Sequence, residues 1–221
     1  MVRKTIGVRL ARHDIRNEIE RRILSGESKP GERLTQQGLA RELGVGQGLI
    51  RESLFELQWL GLVESIDGLG MFVDKLDVAR ISEAYLVREM LEGLAARLAC
   101  HTVGRADIIE LKGMADRIHQ LAQSDAAEAA FIDRTFHLRI TELSRNNTLI
   151  RLSETYRTLG MTVRAFRGPD EIREEHLQIV EAIEYNFADD AEFQARNHVI
   201  GARNMIEASA KETTFVPQWV K

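Results

Sequence analysis

The sequence predicts a mainly α-helical protein, with a small mixed domain at its start and a larger all-α bundle after it. Apolar residues recur at every third or fourth position through most of the 221 residues, which is the repeat of one helix face. The strand-like stretch lies between Leu60 and Val73, on both sides of a glycine-containing turn. Apolar runs stay well short of the ~20 residues of a membrane-spanning helix. These observations together indicate a globular, mainly helical protein.

Three short helices are predicted in the first domain. The domain covers residues 1–75, and its helices cover about 13–25, 36–43 and 47–60. Thr35 is a good N-cap for the second helix, because its hydroxyl can accept a hydrogen bond from the first turn. Gly44 ends that helix and permits a tight turn into the third, while the small Ala40 lets the two helices cross closely. The pair is therefore predicted to be a helix-turn-helix.

A β-hairpin is predicted directly after the third helix. The apolar segments 60–66 and 71–73 are joined by Asp67-Gly68-Leu69-Gly70, which has the composition of a turn. A helix-turn-helix followed by such a wing predicts a winged helix-turn-helix domain that binds double-stranded DNA. The alternative is a helical hairpin that serves only protein contacts.

The second domain, residues 76–221, is predicted to be an antiparallel bundle of about six helices. The predicted helices cover about 77–99, 105–123, 125–144, 147–167, 170–187 and 190–211. Gly168-Pro169 is expected to stop the fourth of them, because proline cannot continue a helix.

Four side chains that can bind a metal occupy helix positions where apolar residues are expected. Asp133 and His137 lie one turn apart on one face. His176 and His198 lie on apolar faces at equal distances along the chain from a predicted break at Phe187, so an antiparallel hairpin would bring them to one level. Imidazoles with a carboxylate suit zinc, and also nickel or another first-row divalent ion. The alternative is a set of ordinary core histidines that form hydrogen bonds.

Arg88 is a further polar residue on an apolar stripe, the one formed by Ile81, Ala84 and Leu91. Arginine is almost never buried without a partner. One interpretation pairs it with a nearby glutamate or lets it reach solvent at the rim of the bundle. The other gives its planar guanidinium the carboxylate of a small organic acid that also binds the metal.

Composition and charge give the remaining expectations. The net charge of −4 does not favour nucleic-acid binding, although basic residues are frequent at the start of the chain: Arg3, Lys4, Arg9, Arg12 and Arg16. The single cysteine, Cys100, excludes an internal disulfide and fits a reducing compartment. Because residues 1–7 also lack the apolar core of a secretory signal, we expect a soluble, cytoplasmic protein without a membrane partner.

Motifs in both domains support a family resemblance. The N-terminal motifs are Gly31-Glu32-Arg33-Leu34, Leu39-Ala40-Arg41-Glu42-Leu43-Gly44-Val45, Ile50-Arg51-Glu52-Ser53-Leu54, Leu57, Gly61-Leu62-Val63 and Gly70-Met71-Phe72-Val73. Through them, residues about 13–73 resemble the DNA-binding domain of the GntR family of bacterial transcription regulators. The later motifs are Arg88, Leu91-Glu92, Asp133, Phe136-His137, Ile140, Asn146, Glu175-His176, Ile179, Ala182-Ile183 and His198. Through these, residues about 77–211 resemble the family's FadR-like (FCD) effector domain.

The resemblance implies a homodimer that reads a palindromic operator and responds to a small organic acid. It also implies that one aspartate and three histidines hold a divalent ion, at positions matching Asp133, His137, His176 and His198. Where the family usually has Ser-Arg and Thr-Pro at the start of the recognition helix, this chain has Gly46-Gln47-Gly48-Leu49. The residues predicted to contact DNA are Arg33, Arg41, Gln47, Arg51 and Gly68 of the wing.

Two further functions compete with a ligand-responsive regulator. A metal-dependent hydrolase or oxidase could use the same three histidines and aspartate. Against it, no additional inward-facing acid or lysine stands out in the sequence as a general base. The other alternative is a regulator whose metal is purely structural and which has no effector.

Overall fold

The structure is a computed structural model, and it describes residues 12–75, 77–160 and 168–211. The chain divides into two compact units, residues 1–75 and 76–221. In the first unit the secondary structure is α1 Arg12–Leu24, β1 Arg33–Leu34, α2 Gln36–Leu43, α3 Gln47–Trp59, β2 Val63–Ile66 and β3 Gly70–Val73. This order is that of a winged helix-turn-helix, as predicted.

The three helices of the first unit pack around a small apolar core. Ile15, Ile19 and Ile23 follow one face of α1 and are fully buried, and α1 packs against α3. The Thr35 hydroxyl accepts a hydrogen bond from the amide of Gly38 and caps α2, as its position predicts. Gly44 has a φ of 68°, a left-handed conformation that glycine adopts without steric cost. Both ends of α2 are therefore defined by local residues.

The wing consists of β2, β3 and the turn between them, and it belongs to a three-stranded antiparallel sheet of order β1-β3-β2. Phe72 in the central strand lies opposite Arg33 on one side and Glu64 on the other. β1 is an addition to the two predicted strands. Its two residues are too few to show alternation in sequence, and the strand forms because β3 offers an edge with which it can pair.

The second unit contains six helices among its described residues, α4 Val78–Ala99, α5 Arg105–Leu121, α6 Ala126–Leu143, α7 Asn147–Gly160, α8 Pro169–Glu184 and α9 Ala188–Lys211. The predicted fold class, mainly α with a winged domain and a helical domain, is confirmed. Pro169 occupies the first turn of α8, where its missing N–H costs nothing. The predicted end of the preceding helix, over 161–167, lies outside the described residues.

The core of the bundle positions the polar residues. Phe136 on α6 and Ile179 and Ile183 on α8 are among its most deeply buried side chains. α8 ends at Glu184 and α9 begins at Ala188, so the predicted break near Phe187 is present and the two helices form a hairpin. Among the described residues, no helix combines the length and apolarity needed to span a membrane.

Candidate functional site

Three of the predicted metal-binding residues meet inside the bundle. His137 comes from α6, His176 from α8 and His198 from α9, and each offers a nitrogen within 4.8 Å of the others. Their ring centroids lie 4.7 to 5.2 Å apart, and Phe136 packs on His176 at 4.3 Å. We call these three residues the histidine cluster. The hairpin of α8 and α9 brings its two later members together, as their spacing predicts.

Asp133 lies at the edge of the histidine cluster. Its Oδ1 is 3.4 Å from Nε2 of His176 and 4.0 Å from Nε2 of His137. Its side chain is 36% exposed, whereas those of His137, His176 and His198 are 11%, 0% and 7% exposed. Asp133 is therefore the member of the predicted set that faces solvent.

Two carboxylates that the sequence analysis did not assign to the site also contact the histidine cluster. Oε2 of Glu92, on α4, lies 3.0 Å from Nδ1 of His137. Oε2 of Glu175, on α8, lies 2.7 Å from Nδ1 of His198. The bundle thus has two inward-facing acids beside the histidines that the sequence did not single out. The spacing of Glu92 four residues after Arg88 could have indicated one of them; the position of Glu175 beside His176 carries no periodic signal.

An ionised carboxylate can only accept hydrogen bonds, so a ring nitrogen that it contacts must carry the proton. In His198 and His137 this nitrogen is Nδ1, and the neutral ring then keeps its lone pair on Nε2. Such carboxylate–histidine pairs are typical of metal sites, where they fix the tautomer and orientation of the ligand.

The charges around Glu92 keep it ionised. Burial acts to raise the pKa of Glu92, but the positive charge of Arg88 and the contact with His137 lower it to about 2. For His137 the burial of the ring acts to lower the pKa, and the charge of Glu92 reverses this and raises it. Glu92 therefore stays ionised between Arg88 and His137.

Arg88 is paired within α4. Its Nε and Nη2 lie 2.8 and 2.7 Å from Oε1 of Glu92, and its guanidinium carbon stands 4.6 Å from the ring centre of Tyr85. The nearby glutamate of the first interpretation is thus present. A ligand carboxylate would meet Arg88 at the Nη1–Nη2 end rather than at the edge that Glu92 holds.

The residues of the site fit a divalent metal ion. Three imidazoles and a carboxylate form a donor set that zinc and other first-row ions accept. Nε2 of His137 is buried and has no hydrogen-bond partner among the described residues. A buried polar atom in this state is costly unless a ligand satisfies it.

The five residues predicted to contact DNA are all exposed on the first unit. Gln47 is the first residue of α3, and Arg51 follows one turn later, with its guanidinium carbon 5.4 Å from the ring centre of Phe55. Arg33 lies on β1, Arg41 on α2, and Gly68 in the turn of the wing. Gly46 precedes α3 without a side-chain cap. The first turn of α3 thus begins with the amide side chain of Gln47 between two glycines, Gly46 and Gly48.

A recognition helix with a wing, followed by a helical unit, defines a class of protein, the DNA-binding transcriptional regulators that carry a second, helical domain. The comparisons identify the family within that class. Residues 11–73 match the bacterial regulatory proteins of the gntR family, and residues 83–201 match the FCD domain. The chain belongs to the GntR family and is a transcriptional regulator with an FCD domain.

Relatives and solved structures agree with this assignment. The chain is 30% identical over 190 residues, 84% of each protein, to a Paenarthrobacter nicotinovorans protein described as "Probable D-xylose utilization operon transcriptional repressor". It is 27% identical to the HTH-type transcriptional regulator LutR of Bacillus subtilis, over 86% of this chain and 98% of that protein. Its fold is similar to that of Escherichia coli McbR/YncC, with a TM-score of 0.71 and 19% identity over 90% of this chain and 98% of that one.

Proposed function

We propose that this regulator binds a divalent metal ion in its helical domain and changes its affinity for DNA when a small organic acid binds at that metal. The observation that carries the proposal is the convergence of the histidine cluster and Asp133 in the domain that accompanies the DNA reader. A ligand can shift DNA binding only if it prefers one arrangement of the protein over another.

Asp133, His137, His176 and His198 would hold the ion, which we take to be zinc, with nickel or another first-row ion as alternatives. The ion would supply a Lewis acid that attracts a carboxylate oxygen of the effector. Arg88 would bind the other end of the acid through its Nη1–Nη2 end. The exposure of Asp133 supports this arrangement, because it leaves one side of the site accessible to solvent.

On DNA, Arg33, Arg41 and Arg51 would contact phosphates, and Gln47 would read a base edge from the head of the recognition helix. Gly68, which has no side chain, would let the tip of the wing approach the DNA backbone. This division of roles predicts different losses on substitution. Because bacterial operators lie in the cytoplasm, we place the protein there.

Arg51→Ala and Gln47→Ala test the DNA-binding surface. The Arg51 variant should weaken binding to all sequences and reduce the slope of log affinity against log salt by about 1. The Gln47 variant should relax the choice of one base, at a cost of about 1–3 kcal/mol for the preferred operator. Binding would be measured by fluorescence anisotropy on an operator selected from random duplexes. Unchanged operator binding by both variants would show that this surface is misassigned.

A homodimer follows from the proposed reading of a palindrome, since two readers are needed for two half-sites. One face of α4 offers a surface for a second copy of the chain. Leu86, Val87, Met90 and Leu94 share one face of this helix and are 36–55% exposed, while the opposite face packs into the bundle. Contiguous exposed apolar side chains are typical of interaction surfaces.

The central experiment measures metal content and operator affinity together. We expect the purified protein to contain about one divalent ion per chain, in line with a four-ligand site. A di- or hydroxycarboxylic acid should then change operator affinity in the metal-loaded protein and not after chelation. If chelation lowers the melting temperature but no acid shifts operator binding, the ion is structural and the effector is excluded. Turnover of esters or 2-oxo acids by the metal-loaded protein would instead support an enzyme.

A further inference from the structure

Glu92 connects the histidine cluster to Arg88. Its Oε1 atom lies 2.8 Å from Nε and 2.7 Å from Nη2 of Arg88, while its Oε2 atom lies 3.0 Å from Nδ1 of His137. The side chains of Glu92 and Arg88 are only 14% and 16% exposed, so this contact is largely shielded from water. Glu92 thus contacts Arg88, which we assign to effector binding, with one oxygen, and His137, which we assign to metal binding, with the other.

We propose that Glu92 is a positioning residue that keeps the proton of His137 on Nδ1, so that Nε2 can bind the metal, and that holds Arg88 by one edge for the effector. This inference rests on the proposed function, because it concerns the same metal and the same acid. It adds a residue that contacts neither of them and that makes their two binding events depend on one another.

The first half of the inference follows from the chemistry of the imidazole ring. A neutral imidazole carries one proton, and a carboxylate within hydrogen-bonding distance retains that proton on the nitrogen facing it. Oε2 of Glu92 lies 3.0 Å from Nδ1 of His137, an ion-pair contact whose angles fall outside those of a regular hydrogen bond, and the other nitrogen, Nε2, is buried without a hydrogen-bond partner among the described residues. Nε2 is also the atom that lies 4.0 Å from Oδ1 of Asp133. The tautomer that Glu92 selects is therefore the one that can bind a metal.

The second half follows from the geometry of the guanidinium group. Glu92 occupies the Nε–Nη2 edge of Arg88, and the guanidinium carbon lies over the ring of Tyr85. A planar group held at one edge presents its other donors in a fixed direction. Loss of Glu92 would release this hold and would alter His137 at the same time. Metal and acid binding are therefore coupled through one side chain.

The substitution Glu92→Gln tests this inference, because it keeps the shape of the side chain but replaces one acceptor with a donor. Arg88 has only donors, so the amide oxygen should turn to Arg88 and the NH₂ group to His137. The proton of His137 then moves to Nε2, where it blocks the metal. We expect zinc affinity, measured by competition with a chromophoric chelator, to fall by about 10–100-fold.

The tautomer itself can be observed without any metal. Imidazole ¹⁵N spectra of the metal-free full chain, at a pH alkaline enough for neutral rings, distinguish protonated Nδ1 from protonated Nε2. We expect protonated Nδ1 in the wild-type His137 and protonated Nε2 in the Glu92→Gln variant. A wild-type spectrum with the proton on Nε2 would overturn the inference by itself, even if the variant did not fold.

Glu89→Gln is the matched control. Glu89 is another buried glutamate of α4, and its oxygens pair with Arg196 at 2.7 Å and Arg203 at 3.4 Å rather than with a histidine. Its substitution should destabilise the bundle but leave zinc affinity and the His137 tautomer unchanged. Arg88→Lys, which removes the planar partner of Glu92, should lower zinc affinity by a smaller factor than Glu92→Gln.

Zinc binding by Glu92→Gln within about threefold of wild type, a difference of only about 0.6 kcal/mol, would overturn the inference. So would an equal loss in Glu89→Gln, because the effect would then come from general damage to α4. If the wild-type protein binds no zinc, the proposed metal site fails, and the tautomer of His137 in the metal-free protein still reports on the role of Glu92. The two failures are thus distinguishable.

Discussion

The two units of this regulator place their functional polar groups in opposite environments. In the helical unit the histidine cluster is buried, and Glu92 and Glu175 hold two of its rings. In the winged unit the residues predicted to contact DNA stand on the surface. A buried polar group must have its partners within the protein, so a change there costs stability and binding together. An exposed residue on a rigid helix can be changed with little effect on folding.

The largest effect that would test this contrast is expected in the bundle. His176→Ala removes a fully buried ring from the proposed metal site. We expect zinc affinity to fall by at least about 100-fold, the upper range for loss of a residue that merely supports a metal ligand. His119→Ala is the control, because this histidine pairs with Asp170 elsewhere on the bundle. Equal zinc affinity in wild type and His176→Ala would show that the histidine cluster does not bind the metal.

The exposed face of α4 should be the next most sensitive place. Met90 is 55% exposed and lies on the face of α4 that we assign to a second copy of the chain. Met90→Glu introduces a charge into this face. Burying an unpaired charge at the centre of an interface should weaken dimerisation by about 30-fold, or about 2 kcal/mol. Sedimentation equilibrium would measure this, with Phe193→Glu on α9 as a control of similar exposure. An unchanged dimer would place the interface elsewhere.

A surface ion pair in the winged unit should give a smaller, pH-dependent effect. Hydrogen bonds from Arg21 and Arg22 lower the pKa of Glu18 from 4.5 to about 2. A lowered pKa stabilises the folded state above pH 4.5, and this contribution is lost as the pH falls towards 2. Because the side chain is about a third exposed, Glu18→Gln should cost about 1 kcal/mol at neutral pH.

Hydrogen exchange of the α1 amides in the full chain would measure the effect of Glu18→Gln. The difference from wild type should disappear at acidic pH and shrink in high salt, since surface charges are screened. An effect independent of pH would mean that the substitution acts through something other than the charge.

The smallest effect is expected from alanine substitution of two exposed glycines, Gly48 in the first turn of α3 and Gly113 in α5. A Cβ atom added at either position would meet nothing within 4 Å. Alanine should therefore raise the free energy of unfolding by about 0.5–1 kcal/mol at each site, measured by urea unfolding. Only Gly48→Ala should also weaken operator binding, because the backbone there would face DNA. Equal operator binding by both variants would show that the backbone at Gly48 does not contact DNA.

Much of the fold could be predicted from sequence because its signals are local. The helix bounds follow from apolar periodicity and from caps such as Thr35 and Gly44. The structure places them within a few residues of prediction, apart from the end of the helix predicted over 147–167, which lies outside the described residues. β1 was missed, because a two-residue strand exists only through its pairing with β3. The approach of the histidine cluster was predicted because its members interrupt regular apolar stripes.

The sequence by itself determined the helical content, the winged helix-turn-helix and the identity of the three histidines as unusual inward residues, with Asp133 one turn before His137. These features depend on neighbours three or four positions away, which the chain order records directly. Tertiary structure alone decided that Glu92 and Glu175 face these histidines. Such contacts depend on how helices distant in sequence pack and turn, and an acidic residue at a helix position can equally well face water.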